Sequence, residues 1–144
     1  MAVGDVQFHN KFLFNLASGD MHLDTDTFRC YLLNGWTPNI DTNHYLSDIS
    51  ANEIALSGYT AGGVTLSGKT LTEDDTNDRT AWDFANPTWA SIASGSISRA
   101  AIIQWTGTAS TSTIVCNIEV SNSNGQSYTI TIPSGGILLI RQAA

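Results

Sequence analysis

The sequence predicts a mainly all-β protein, an antiparallel β-sandwich of the jelly-roll-like kind with a short N-terminal helix. Two observations carry this prediction. Polar and apolar residues alternate with period two in seven short segments, and clusters of Gly, Asn, Asp, Ser and Pro separate most of these segments. The chain has 144 residues, enough for one domain, so we expect residues 1–144 to form a single β-sandwich domain.

Near the N-terminus, residues 6–16 favour a short helix because their apolar side chains recur at helical spacing. Asp5 is the expected N-cap and Gly19 the expected stop signal. A strand is the alternative for part of this segment, since apolar residues also alternate from Phe12 to Leu16.

The remaining elements are predicted from period-two alternation and from the turn residues between them. In the segment 113–120, Ile114, Cys116 and Ile118 fall on one face and polar residues on the other, which is typical of an antiparallel sheet with one buried face. The predicted strands are 27–33, 64–71, 80–84, 98–105, 113–120, 127–132 and 136–140, with turns at 74–78, 106–112 and 133–136 and a hairpin closed by 121–126.

Residues 34–63 are the exception, because thirty residues pass there with little alternation. Loops of this length inside a compact domain are usually functional, so we expect residues 34–63 to be a contact loop and residues 1–8 an N-terminal arm that also meets a partner. The alternative is that the loop packs on its own domain and the turns at the strand edges make the contacts. The candidate partner-binding residues are Val3, Val6, Phe8, Trp36, Pro38, Ile40, Tyr45, Leu46, Tyr59 and Trp89.

The charge of the chain argues against two classes of partner. Six basic and thirteen acidic residues give a formal net charge of -7, whereas nucleic acid and anionic membrane surfaces attract clustered Lys and Arg. The charged fraction is 13%, about half the usual quarter, and the 43 Ser, Thr and Asn residues supply the polar surface instead. We therefore expect no nucleic acid partner and no membrane partner.

The sequence contains few motifs that are typical of a catalytic site or of a metal centre. His9, His22 and His44 lack the spacing of known zinc motifs, and no serine lies in a G-x-S-x-G motif, so we expect no enzyme activity and no cofactor. Two acidic segments, 24–26 and 73–78, contain oxygen ligands suited to calcium, but Asp and Asn also form turns with their own backbone. The turn interpretation is the stronger one, so no metal site is predicted.

The positions of the cysteines and of one tryptophan predict that these side chains are packed in the core. Cys30 and Cys116 lie on apolar strand faces, which indicates two buried thiols; a disulfide would require their strands to be neighbours. Trp82 alternates with Phe84 on a strand and is expected in the core. The other three tryptophans lie beside turns, where they can cap the core, anchor an interface or stack on a sugar.

Several ordered motifs in the first half of the chain resemble a known group of proteins. They are DTDT at 24–27, the strand that follows, TPNIDTNH at 37–44, LSDISANE at 46–53 and GYTAGGVTL at 58–66. In this order the segment 20–71 resembles small structural proteins of tailed bacteriophages.

The resemblance implies a virion component, made in the host cytoplasm. A single acidic β domain suits a capsid decoration (cement) protein, which binds the major capsid protein on the outer surface of the shell and stabilises it. Such proteins are commonly dimers or trimers, so self-association is expected. The alternatives are a tail or baseplate-associated virion protein with host-glycan contact and, outside phages, a calcium-dependent carbohydrate-binding module.

Overall fold

A computed structural model describes residues 4–141, and in this range the chain is mainly β with one short helix, as predicted. The long segment between the second and third strands contains two 3₁₀ turns, Leu46–Asp48 and Ser50–Asn52. The helix and strands are β1 (Val6–Phe8), α1 (Asn10–Ser18), β2 (Phe28–Leu33), β3 (Val64–Thr65), β4 (Thr70–Asp74), β5 (Arg79–Asp83), β6 (Thr88–Trp89), β7 (Arg99–Gln104), β8 (Ile114–Glu119), β9 (Tyr128–Thr129) and β10 (Leu138–Arg141).

The strands form three antiparallel sheets. The largest has the order β1-β8-β7-β2-β3, the second has the order β10-β5-β4, and the smallest pairs β6 with β9. The three central strands of the large sheet are buried on both faces, which corrects the expectation of one buried face. The reason is that residues outside the strands cover the second face, so both sides of the sheet bury apolar side chains.

The main core lies between one face of the large sheet and the two smaller sheets. Trp82 of β5 is fully buried, as predicted, and its Nε1 donates a hydrogen bond of 2.9 Å to the carbonyl oxygen of Leu23. The ring of Trp82 also contacts those of Phe28 and Phe84, each with a centroid distance of 5.0 Å. Trp82 therefore anchors the three-stranded sheet to the large one.

The two cysteines are free and fully buried. Cys30 of β2 and Cys116 of β8 both lie opposite Ile102 of β7, so a whole strand separates the two thiols. Burial raises the pKa of both thiols, that of Cys116 to about 12. They act as small apolar core residues, as the sequence indicates.

A β-bulge in β8 changes which residues share a face. Ile102 lies opposite Cys116 but Ile103 lies opposite Ile114, so Val115 is an extra residue on the β8 side. Ile114 therefore packs on the second face of the sheet, and the prediction that it shares a face with Cys116 is wrong. A bulge shifts the alternation by one residue and leaves no clear mark in the pattern itself.

The N-terminal helix starts later than the sequence predicts. Asp5 is not its N-cap; His9 takes that position, and Val6–Phe8 form a strand paired with β8. The pairing satisfies backbone groups along an edge of β8 that would otherwise be exposed. The helix ends as predicted, because Gly19 adopts the left-handed conformation (φ 83°) and its N–H caps the carbonyl groups of the last turn.

Two connections are confirmed and one is wrong. Residues 74–78 join β4 to β5 and residues 106–112 join β7 to β8, as predicted. Residues 121–126 close no hairpin, because β8 already pairs with β7 on one side and β1 on the other, and β9 pairs with β6. The predicted strand 64–71 is two strands in different sheets, separated by Gly68 in the left-handed region (φ 63°).

None of the helices within residues 4–141 has the length and apolar character that a membrane-spanning helix requires.

Candidate functional site

The long loop, residues 34–63, packs against its own domain. Leu46 and Ile49 are buried in a second core on the far face of the large sheet, where they join Tyr31 and Ile103 among others. Two backbone bonds, from the N–H of Leu46 to Ser112 and from the N–H of Ile54 to Leu32, connect the loop to its surroundings. The loop thus provides the cover that allows β2 and β7 to bury both faces.

The loop residues predicted to bind a partner occupy mixed environments. Trp36, Pro38, Ile40 and Tyr45 are half-buried, whereas Leu46 is only 4% exposed. Trp36 packs against the second core, and its Nε1 donates a hydrogen bond of 3.2 Å to Asn43 Oδ1. These side chains therefore use much of their surface inside the domain.

Tyr59 and Trp89 are brought together, but in the main core. Their ring centroids are 6.2 Å apart, Trp89 is 7% exposed, and Tyr59 packs against the same cluster. The Tyr59 hydroxyl donates a hydrogen bond of 2.7 Å to Glu53 Oε1. Burial and this carboxylate raise the pKa of Tyr59, so its phenol remains protonated and links two nearby positions of the loop, 53 and 59.

The described part of the predicted N-terminal arm is a strand of the large sheet. Val6 and Phe8 of β1 are half-buried and lie opposite Ile118 and Cys116 of β8. Val3 lies outside the described residues. Residues 6–8 are thus held by the domain's own sheet.

His9 is a buried polar residue that joins three parts of the fold. Its Nε2 accepts a hydrogen bond of 3.1 Å from Asn117 Nδ2, so Nδ1 carries the proton and donates over 2.8 Å to the carbonyl oxygen of Asn43. The Trp36 ring stacks on the imidazole at a centroid distance of 6.1 Å. Burial lowers the pKa of His9 and keeps the ring neutral. The imidazole therefore ties the loop to β8.

Glycines in the GYTAGG segment serve the packing of the loop. Gly63 has a φ of 66°, and a Cβ built there would lie closer than 3.0 Å to the carbonyl oxygen of Cys30. Gly58 has a φ of 87° and its Cβ would similarly collide with the Ser91 carbonyl. The segment thus requires glycine because the backbone passes directly against neighbouring backbone.

The large apolar side chains that are most exposed belong to other elements. Leu13 and Phe14 lie on the outer face of α1, and Leu71 and Ile140 lie on the three-stranded sheet. None of the four was among the residues predicted to bind a partner. Their exposure depends on how far the core extends beneath each element. In the predicted strand 64–71, alternation puts Leu71 in phase with the polar residues Thr65 and Ser67, so the pattern gives it no role.

We define the β-arm as β4, β5, β10 and the turn between β4 and β5, residues 70–83 and 138–141. Leu71, Trp82 and Leu138 form one row across the sheet, and Glu73, Thr80 and Ile140 form the next row on the same face. Trp82 and Leu138 are buried, but Leu71 and Ile140 are each 45% exposed. This face therefore begins over the core and extends beyond it into solvent.

The opposite face of the β-arm is also open. Thr70 and Thr72 of β4 and Arg141 of β10 are exposed, and Arg79 is half-buried. A groove of about 460 Å³ runs along the outer end of the arm, and residues of both faces line it, among them Ile140 of the first face and Arg141 of this one. Among the described residues, β4 and β10 each pair with β5 alone, so both are edge strands.

The turn of the β-arm is held by its own side chains. The Asp74 carboxylate accepts hydrogen bonds of 2.8 Å from Asn77 Nδ2 and 3.0 Å from Arg79 Nε. The bonds from Asn77 and Arg79 lower the pKa of Asp74. Asp78 follows with a φ of 49°, a conformation that Asp tolerates better than most residues. The acidic segment 73–78 is thus organised as an Asx-type turn.

The second acidic segment is also used for internal bonds. Asp26 Oδ2 accepts hydrogen bonds from the N–H of His22 (2.8 Å) and from Gln104 Nε2 (2.7 Å). Across residues 4–141, no group of three or more His, Cys, Asp or Glu side chains is placed to hold a metal ion.

In comparisons with known proteins, no protein-family model, no curated protein and no solved structure matches the chain.

Proposed function

We propose that this chain is a structural protein of a tailed-phage virion, and specifically a capsid decoration (cement) protein. In this role it binds the major capsid protein on the outside of the shell and stabilises the shell. The ordered motifs within residues 20–71 support the phage assignment. The observation that carries a binding role is the β-arm, whose outer end is open to solvent on both faces and exposes Leu71 and Ile140.

The exposed arm favours binding for an energetic reason. A strand pair gains most of its stability from burying one face, and the outer end of this arm buries neither. Covering Leu71 and Ile140 with a partner would remove apolar surface from water at about 25 cal/mol per Å². Among the described strands, Leu71 and Ile140 are the large apolar side chains most exposed to water, which suits this sheet to docking.

We also propose that the sheets form the two layers of a jelly-roll-like sandwich. The main core contains Cys30, Ile102 and Cys116 from the large sheet and Trp82, Trp89 and Tyr128 from the two smaller ones. Side chains that meet between facing sheets are typical of a sandwich. A rigid, two-layered body suits a protein that is added to a finished shell.

The proposed role is structural and not catalytic. The rings of two described histidines are hydrogen-bonded within the domain, His9 to Asn43 and Asn117 and His44 to the Asp41 carbonyl, and the His22 ring lies 3.9 Å from the Asp26 carboxylate. With a net charge of -7, the chain suits neither nucleic acid nor an anionic membrane. Its low charge density limits repulsion between the many copies on a shell, including those that associate as dimers or trimers.

Binding to heads tests the function directly. Purified protein is mixed with expanded, undecorated heads of the phage that encodes it, and bound protein is measured after sedimentation. We expect saturable binding at a fixed number of copies per head and a higher temperature of head disruption. Absence of binding to heads together with co-purification with tails would contradict the proposal and favour the tail or baseplate alternative.

A further inference from the structure

We propose that the β-arm is the docking surface, and that its partner is a protein surface with an apolar patch rimmed by Lys and Arg. This inference rests on the proposed function and identifies which surface of the chain meets the shell. It replaces the long loop as the main contact element, because the loop packs its large apolar side chains into or against the two cores of its own domain.

The apolar part of the contact comes from one face of the arm. Leu71 and Ile140 lie in adjacent rows on the face that also contains Trp82. Ile140 lines the groove at the outer end of the arm together with Thr80 and Glu73. A partner side chain inserted there would lengthen the existing core cluster past Leu138. The contact would thus continue an apolar surface that the fold already organises.

The charge of the arm selects the kind of partner. Residues 70–83 and 138–141 contain five carboxylates (Glu73, Asp74, Asp75, Asp78 and Asp83) and two arginines (Arg79 and Arg141), which gives 2 − 5 = −3 in eighteen residues. Asp74 already pairs with Arg79 at 3.0 Å, so the acidic groups that remain at the tip face solvent. A basic rim on the partner would complement them.

A second copy of the chain fits this surface poorly. Two arms placed together would bring acidic tips into contact, and like charges across an interface are unfavourable. The whole chain has six Lys and Arg residues, of which two are already on the arm. Charge complementarity therefore points to a different, basic protein surface as the occupant.

The edge strands add a second means of attachment. β4 and β10 present alternate backbone N–H and C=O groups along their outer sides, as edge strands do. An extended segment of the partner can pair with such an edge while its side chains reach the groove. Acidic residues on the arm also limit pairing between copies in the absence of the partner.

The experiment compares two arm variants with two matched controls in the head-binding assay. Leu71→Ser and Asp75→Lys alter the arm; Phe14→Ser and Asp24→Lys make the same kinds of change at exposed positions on α1 and in the 24–26 turn. Both Asp→Lys variants change the net charge equally, from -7 to -7 + 2 = -5. Circular dichroism and thermal midpoints verify that each variant is folded.

We expect both arm variants to weaken binding about tenfold or more, with the controls within about twofold of the parent chain. The effect of Asp75→Lys should shrink as salt concentration rises, while that of Leu71→Ser should persist. Arm variants that bind like the parent overturn this inference and leave the proposed function standing. No binding by the parent chain overturns both. Dimers in sedimentation that Leu71→Ser abolishes identify a second copy as the occupant, which also overturns the inference.

Discussion

The long loop and the β-arm differ in whether their apolar side chains are buried. The loop, residues 34–63, is irregular and contains aromatic and aliphatic residues, yet it places Leu46 and Ile49 inside the domain. The β-arm is regular and rich in Thr and Asp, yet it leaves Leu71 and Ile140 in solvent. Apolar residues in a segment therefore predict that it has a surface to bury. The rest of the fold determines whether that surface is buried against the domain itself or against a partner.

The largest expected effect tests whether the loop is an integral part of the fold. We expect Gly63→Ala to lower the free energy of unfolding by about 3 kcal/mol or more. The new Cβ would require φ 66° from an L-residue and would collide with the Cys30 carbonyl oxygen of β2. Chemical denaturation followed by tryptophan fluorescence measures the change.

The matched control separates backbone strain from steric collision. Gly107 also has a left-handed φ (95°), but a Cβ there has nothing within 4 Å. Gly107→Ala should therefore cost about 1–2 kcal/mol from strain alone. If both variants lower the free energy of unfolding equally, the close approach of Gly63 to β2 contributes nothing to stability. The loop would then be less firmly packed than its contrast with the β-arm requires.

A second pair of variants places the same residue type in the two regions. Leu46→Ala should lower the free energy of unfolding by about 2–3 kcal/mol, because it opens a cavity in the second core. Leu71→Ala should change it by about 0.5 kcal/mol or less, since the side chain is 45% exposed. Urea unfolding of both proteins provides the measurement. Equal losses would mean that the arm is as integrated as the loop.

The sequence predicts the class of the fold well because alternation reports burial directly. The three central strands of the large sheet were expected within a residue or two of β2, β7 and β8, and Gly19 was recognised as the end of the helix. Pairing was harder to predict. The prediction of a hairpin at 121–126 is wrong because β8 pairs with Val6–Phe8, more than a hundred residues away in the sequence. Turn residues at 121–126 carry no information about which strand pairs with β8.

The candidate contact residues show a different limit of sequence reasoning. Trp89 is predicted as a contact residue from its place beside a turn and Leu46 from its place in the long loop, and both are buried. Alternation does not mark either Leu71 or Ile140 as a contact residue. Leu71 falls in phase with polar residues of the segment 64–71, whereas Ile140 falls in phase with Leu138 and is expected to be buried like it. They are exposed because the main core ends beneath the β-arm just past Trp82 and Leu138, which are buried.

The smallest expected effect concerns the attachment of the loop through His9. Burial lowers the pKa of His9 below its ordinary value of 6.5, so between these two pKa values the unfolded chain binds more protons than the folded chain. Its contribution to stability is therefore complete above pH 6.5 and is lost as the pH falls toward the folded pKa. Protonation at Nε2 also removes the acceptor that Asn117 Nδ2 needs, which weakens the bond that holds the loop to β8.

Thermal unfolding from pH 7 to 5.5 measures this contribution, which for one proton is at most about 1.4 kcal/mol per pH unit. His9→Gln should reduce the fall in midpoint over this range, whereas His22→Gln, at a largely exposed side chain, should leave the fall unchanged. Hydrogen exchange should locate the loss in the loop and leave the β-arm amides unaffected, because His9 contacts Asn43 and Asn117 and no arm residue. An unchanged pH dependence in His9→Gln would show that the loop is held by its apolar side chains alone.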